Sequence, residues 1–164
     1  MAERFRVVVI GGGIAGCSAL YHLGLEGWTD TLLLERDQLS SGSTWHAAGN
    51  VPTYSGSWSV MKVQKYSAEL YRKLAAEAED PISYHVTGSV RLAHTDDRMA
   101  EFHHVRSMAR ANGMDYEMLS PSDLVERYPL VETHDLKGAL WDPFDGDIDP
   151  SQITAELARK ARAM

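Results

Sequence analysis

Four residues near the start of the chain have the types and spacing for one piece of chemistry: Gly11, Gly13 and Gly16, in the run Gly11-Gly12-Gly13-Ile14-Ala15-Gly16, and Glu35, about twenty residues after Gly16. A glycine at position 11 allows a tight turn, one at 13 lets backbone N–H groups approach a diphosphate, and one at 16 lets a helix lie close on a strand. Ile14 and Ala15 open that helix, whose first N–H groups carry partial positive charge and favour an anion. Glu35 stands where a carboxylate accepts hydrogen bonds from ribose hydroxyls, with Arg36 beside it. The chemistry is dinucleotide binding. A chance glycine-rich turn ahead of a helix is the competing reading, and it explains neither the acid nor the apolar runs on both sides.

Those apolar runs are the elements that must position the site. Val7-Val8-Val9-Ile10 leads straight into the glycines, and Thr31 to Leu34 is a second run closed by Glu35, which together spell strand, glycine turn, helix, strand. Nicotinamide and flavin dinucleotides both suit such a βαβ unit. The next segment, Ser41-Gly42-Ser43-Thr44-Trp45-His46-Ala47-Ala48-Gly49-Asn50, bears on the choice. An NAD-binding unit would pass quickly to its next helix, whereas this chain sets a small, hydroxyl-rich loop where it can touch the same ligand. Taken alone, a histidine beside a tryptophan in such a loop is most simply a surface residue, although a neutral imidazole nitrogen is a competent nucleophile.

Residues 7 to 50 resemble the D-amino-acid-oxidase-type flavoprotein superfamily, and Gly42 to Gly49 is similar to the dimethylglycine and sarcosine dehydrogenase branch. Gly88-Ser89-Val90-Arg91-Leu92-Ala93 and Asp145-Gly146-Asp147-Ile148-Asp149-Pro150 extend the likeness more loosely along the chain. The resemblance implies an α/β fold: a Rossmann-like FAD-binding βαβ unit of the glutathione-reductase type, with an incomplete sheet and a mixed α/β remainder. It implies FAD as cofactor, held covalently through His46 as an 8α-histidyl flavin. The implied cofactor-binding set is Gly11, Gly13, Ile14, Ala15, Gly16, Glu35, Arg36, Gly42, Ser43, Thr44, Trp45, His46, Ala47, Ala48, Gly49 and Asn50. The implied reaction passes a hydride equivalent from an N-methyl carbon of a small amine, such as dimethylglycine or sarcosine, to the flavin. Tetrahydrofolate is an implied partner of the longer protein, the electron acceptor stays open, and no catalytic acid or base is assigned within these residues.

Composition narrows the remaining classes. The formal charge of −7 and 44 % hydrophobic content describe an acidic globular chain, and no basic cluster suggests nucleic acid. No apolar run approaches the roughly eighteen residues of a membrane span. Cys17, the single cysteine, has no internal disulfide partner and reads as a small packed residue. The first strand begins so close to Met1 that a leader peptide has no room, and a cytoplasmic location is the expectation.

Beyond the loop, Val63, Tyr66, Leu70 and Leu74 recur at helical spacing and predict a helix over 59–78 with these side chains in the core. A strand is expected at 88–94, then a helix capped by Thr95, carrying the stripe Met99, Phe102, Val105 and Met108 and stopped by Gly113. Ser120-Pro121 starts a shorter helix, 137–141 reads as a strand, and Asp149-Pro150-Ser151-Gln152 opens a last helix with a capping-box-like start. His85, His94, His103 and His104 read as surface residues, the acids at 142, 145, 147 and 149 as a turn and helix cap, and Trp45 and Trp58 as buried under the loop. One βαβ unit cannot complete a doubly wound sheet, so residues 1–50 are expected to be the FAD-binding unit with its flavin-attachment loop. Residues 51–164 would be a mixed continuation, the whole being an N-terminal fragment or a split subunit.

Overall fold

Thirteen elements follow one another along the computed structural model, which describes residues 4–164. They are β1 (Val7–Ile10), α1 (Ile14–Leu25), β2 (Thr31–Leu34), β3 (Asn50–Val51), α2 (Trp58–Glu77), β4 (Tyr84–His85), β5 (Ser89–Ala93), α3 (Asp96–Ala111), β6 (Glu117–Leu119), α4 (Pro121–Arg127), β7 (Gly138–Asp142), β8 (Gly146–Ile148) and α5 (Pro150–Arg162). The chain forms two compact units. One holds the residues up to Asn50 with 71–84 and 148–164; the other holds 51–70 and 85–147. The two-residue and three-residue strands β3, β4 and β8 fall where the chain passes from one unit to the other.

In the first unit β1 and β2 pair in parallel, Val7 opposite Thr31 through Ile10 opposite Leu34, with α1 as the crossover. This is the expected βαβ unit with a sheet of two strands. Alternation decides its faces. Val8 and Ile10 are exposed on one face of β1, while the helix side buries Cys17 and Tyr21 of α1. α5 packs along α1 and begins at Asp149, whose carboxylate accepts the N–H groups of Ser151 and Gln152 while Pro150 occupies the first helical position. The expected capping box does not close. The Gln152 side chain accepts from Ser83 N–H at 2.7 Å instead, and Asp149 N–H donates to Ser83 O, so the two groups tie the 83 segment to the helix start.

The second unit is built on an antiparallel sheet in the order β5–β7–β6, with Val90 opposite Trp141 and Met118 opposite Leu140. α3 lays Phe102, Val105 and Ala109 into a core with Met61, Ala93, Met114, Tyr116 and Leu140. Its cap is the predicted one: the Thr95 hydroxyl accepts Arg98 N–H, with Asp96 and Asp97 in the first turn. α4 is started by a closed capping box between Ser120 and Asp123. Gly88 has φ +69°, and an added Cβ would stand 2.0 Å from the Trp141 ring, so no other residue fits there.

Two expectations are corrected. α2 forms over the predicted range, but Val63 and Tyr66 are 65 % and 48 % exposed, while Met61 and Ala68 are buried. Leu74 of the same series is fully buried as expected, while Met61 and Ala68 take the inward positions that Val63 and Tyr66 were expected to hold. Trp45 and Trp58 are likewise exposed rather than buried: Trp45 stacks against the exposed His46, and Trp58 is the first residue of α2.

Candidate functional site

The glycine turn is shaped by contacts that a side chain would destroy. Gly11 has φ +108° and donates its N–H to Leu34 O at 2.8 Å, which prolongs the parallel pairing into the turn. A Cβ on Gly16 would lie 1.9 Å from Gly11 O, so the helix reaches the strand end only because position 16 is bare. A Cβ on Gly13 would stand 2.9 Å from the Thr44 hydroxyl oxygen. Gly12 belongs to the same set although the motif spacing passes over it: its Cβ would meet Leu39 at 2.6 Å and Glu35 at 3.0 Å. The signal for it was the unbroken run of three glycines.

Glu35 is tied to that turn. One carboxylate oxygen accepts Gly12 N–H at 2.6 Å, and the other accepts Arg36 N–H at 2.7 Å and Asp37 N–H at 3.1 Å. The Gly12 and Asp37 N–H groups hold its carboxyl below the usual carboxylate range, so it stands ready as an anion. A carboxylate has about four lone-pair positions, and three bonds leave room for a ribose hydroxyl. Arg36 gives its backbone to Glu35 and is itself exposed. Behind the turn the Cys17 thiol is pushed up by burial and by the Glu35 charge, and its sulfur lies 3.6 Å from Gly12 O; it is a packed thiol.

The start of α1 is open. Gly13 caps it without a side-chain acceptor, and the N–H groups of Gly13 and Ala15 donate to no acceptor among the described residues. Ile14 N–H is taken by the Thr44 hydroxyl at 3.0 Å. Thr44 brings the loop with it. Ser40, at φ 65°, donates its N–H to Gly12 O, Trp45 N–H to Ser40 O and Ala47 N–H to Thr44 O. Gly42, Ser43, Trp45, His46, Ala47, Ala48 and Asn50 are exposed, whereas Thr44 is buried. Gly49, at φ +79°, closes the loop where a Cβ would strike Ile148 O at 2.2 Å.

His46 is oriented rather than free. Its Nδ1 lies 3.0 Å from Gly42 O, and its ring centroid lies 4.1 Å from that of Trp45. A carbonyl only accepts, so Nδ1 carries the proton and Nε2 the lone pair of the neutral ring. The glycines, Glu35, the open helix end and this loop all come together within one unit. They fit FAD: a bare cradle with unused N–H groups for the diphosphate, an anionic acceptor for the ribose, and a nucleophilic nitrogen on the loop. A groove of about 370 Å³ lined by Leu20, Gly24, Trp28, Leu33, Ala158 and Met164 lies toward the other end of α1 and takes no part.

The second unit holds a polar cluster that the sequence did not announce. Asp142 and Asp145 are buried with Thr53 and Tyr116, and only Asp149 of the acid run acts as the expected helix cap. The Thr53 hydroxyl donates to Asp142 at 2.7 Å, Phe144 N–H donates to its other oxygen, and Asp145 accepts Thr53 N–H, the Ser89 hydroxyl and Arg91. Burial and the neighbouring Asp145 charge push Asp142 up to about 6. Burial would raise Asp145 as well, yet the Ser89 hydroxyl, Thr53 N–H, Asp142 and Arg91 hold it below its ordinary value.

The family described as FAD dependent oxidoreductase matches residues 6–164. Human mitochondrial dimethylglycine dehydrogenase is 36 % identical over 160 residues, which is 98 % of this chain and 18 % of that protein. The mouse mitochondrial pyruvate dehydrogenase phosphatase regulatory subunit is 38 % identical over 161 residues, 98 % of this chain and 18 % of that protein. The crystal structure of L-proline dehydrogenase from P. horikoshii superposes with a TM-score of 0.88 at 28 % identity, over 99 % of this chain and 43 % of that one. The chain thus spans about a fifth of the length of these curated relatives. The mitochondrial relatives overturn the cytoplasmic expectation, because composition, one unpaired cysteine and the absence of a membrane-spanning run are shared by organelle matrix proteins. No helix among the described residues is long and apolar enough to cross a membrane.

Proposed function

The chain belongs to the FAD-dependent oxidoreductase family, and we propose that its residues 1–50 bind the adenosine diphosphate half of FAD and carry the flavin on His46. The observation that carries this reading is the open start of α1, where Gly13 and Ala15 present unused N–H groups between Glu35 and the His46 loop. Glu35 accepts from the ribose, Gly11 and Gly16 keep the turn against the helix, and Gly13, Ile14 and Ala15 face the diphosphate. Gly42, Ser43, Thr44, Trp45, Ala47, Ala48, Gly49 and Asn50 shape the loop on which His46 presents Nε2, with Arg36 at the rim. Residues 51–164 continue the fold, and no acid or base for the substrate is assigned in them.

Similarity to human dimethylglycine dehydrogenase and human sarcosine dehydrogenase supports a small N-methyl amine such as dimethylglycine or sarcosine as substrate of the full-length protein. Bound FAD would supply the acceptor for a hydride equivalent from the N-methyl carbon. Acid precipitation of the flavin-loaded protein should leave yellow colour and flavin fluorescence in the pellet, and His46→Ala should move both to the supernatant; covalent flavin in that variant would remove His46 from the role.

Similarity to the mouse regulatory subunit favours a second reading, in which the chain serves a protein that binds FAD without oxidising an amine. Turnover of dimethylglycine or sarcosine by the flavin-loaded full-length protein, followed with an artificial electron acceptor, separates the two. Bound flavin with no turnover of either amine supports the second.

A further inference from the structure

We infer that Thr44 is a positioning residue for flavin attachment: its hydroxyl, fastened to the first N–H of α1, sets where His46 stands relative to the dinucleotide turn. This rests on the attachment role proposed for His46.

Thr44 is the buried residue of the otherwise exposed or half-buried stretch from Gly42 to Asn50, with 9 % of its surface exposed. It faces a helix start rather than a core. Its oxygen accepts Ile14 N–H at 3.0 Å, and the bare Gly13 leaves space for it: a Cβ there would come within 2.9 Å. Only Trp45 separates this anchor from His46, and the backbone around it is locked. Trp45 N–H donates to Ser40 O, Ala47 N–H donates to Thr44 O, and Ser40 N–H is itself held by Gly12 O. His46 Nδ1 is then bonded to Gly42 O inside the same turn. The imidazole is therefore referenced to the nucleotide turn at two points, the Ser40–Gly12 backbone bond at one end of the loop and the Thr44 side-chain bond to α1 directly beside His46. Remove the Thr44 hydroxyl, and the loop keeps its internal bonds and its Ser40 tie to Gly12 but loses the tie to α1 nearest His46.

The step that Thr44 would govern is the joining of His46 Nε2 to the 8α carbon. One hydrogen leaves that carbon and one leaves the imidazole, both as protons, and the electron pair passes through the flavin to dioxygen in the assay, giving hydrogen peroxide. Attack of this kind needs a nucleophile held close to and aligned with the carbon, so its rate responds steeply to small displacements.

The test measures acid-stable flavin fluorescence against time in the apoprotein of the full-length chain, across a range of FAD concentrations, for wild type, Thr44→Val, Thr44→Ala and Thr44→Ser. Valine keeps the shape and loses the acceptor, alanine cannot overpack should valine fail to fold, and serine restores the hydroxyl. The maximal incorporation rate at saturating FAD is expected to fall by roughly tenfold or more in the valine and alanine variants and to return to within about threefold in serine. A shift in the half-saturating FAD concentration with an unchanged maximal rate would make Thr44 a binding group only and overturn the inference. Equal maximal rates in all four proteins would overturn it too, while leaving the His46 reading intact. A wild type that gains no acid-stable flavin would fail both together.

Discussion

Glu35 accepts the N–H of Gly12 at 2.6 Å, so the acid that ends the second strand is bonded directly to the turn that ends the first. One side chain joins the two halves of the nucleotide site. It shapes the turn, and it presents an anion whose remaining lone pairs suit a ribose. Glu35→Ala should therefore weaken non-covalent FAD binding by roughly ten- to a hundredfold, the range for losing a charge-assisted hydrogen bond. The measurement is a flavin fluorescence titration in a His46→Ala background, because a tether would hide the loss. Unchanged affinity there would place the ribose elsewhere.

Gly16 should be the least replaceable glycine of the turn. Alanine would put a methyl group 1.9 Å from Gly11 O, a backbone atom that cannot rotate away, so α1 must shift off the end of β1. A loss of about 1 to 3 kcal/mol is expected, as for other overpacked sites. Gly56→Ala serves as control, since its added Cβ meets nothing within 4 Å and its φ is unremarkable. Urea unfolding of the two variants makes the comparison; equal midpoints would mean that the helix relaxes without cost.

The parts of this molecule legible in its sequence are those written in backbone chemistry. Glycine spacing encodes the turn whatever lies around it, and Thr95, Ser120 and Asp149 announce helix starts because a short polar side chain there bonds its own neighbours. Features decided by distant partners were not legible. Asp142 and Asp145 look like turn residues until Thr53, Ser89 and Arg91, far away in the chain, arrive to satisfy them. β6 and β8 are three residues each, too short to show a period, and they form because a neighbouring strand supplies the ladder. The apolar series on α2 named a face, yet which side of a helix is covered depends on what packs against it, and Val63 and Tyr66 meet solvent.

The buried acid pair should give the second unit a pH dependence of its own. Folding raises the Asp142 carboxyl from 3.8 to about 6, through burial first and the Asp145 charge second. A group raised by folding contributes stability that is complete below its unfolded value and is lost as pH rises through its folded one. Asp145 has the opposite sign: depressed by folding, it contributes above its unfolded value and loses this as pH falls. Tyr116, Arg91 and, through the Tyr116 carbonyl, Arg106 complete the polar surroundings. Stability should accordingly decline between about pH 4 and pH 6.5, as Asp142 ionises beside Asp145. Asp142→Asn keeps the acceptor for Thr53 and Phe144 while removing the second charge. It should flatten that decline and stabilise the protein at pH 7.5 by roughly 1 to 3 kcal/mol. Urea midpoints of both proteins at about pH 4.5, 6 and 7.5 are the measurement, and parallel pH profiles would show that Asp142 ionises in the folded protein at no cost.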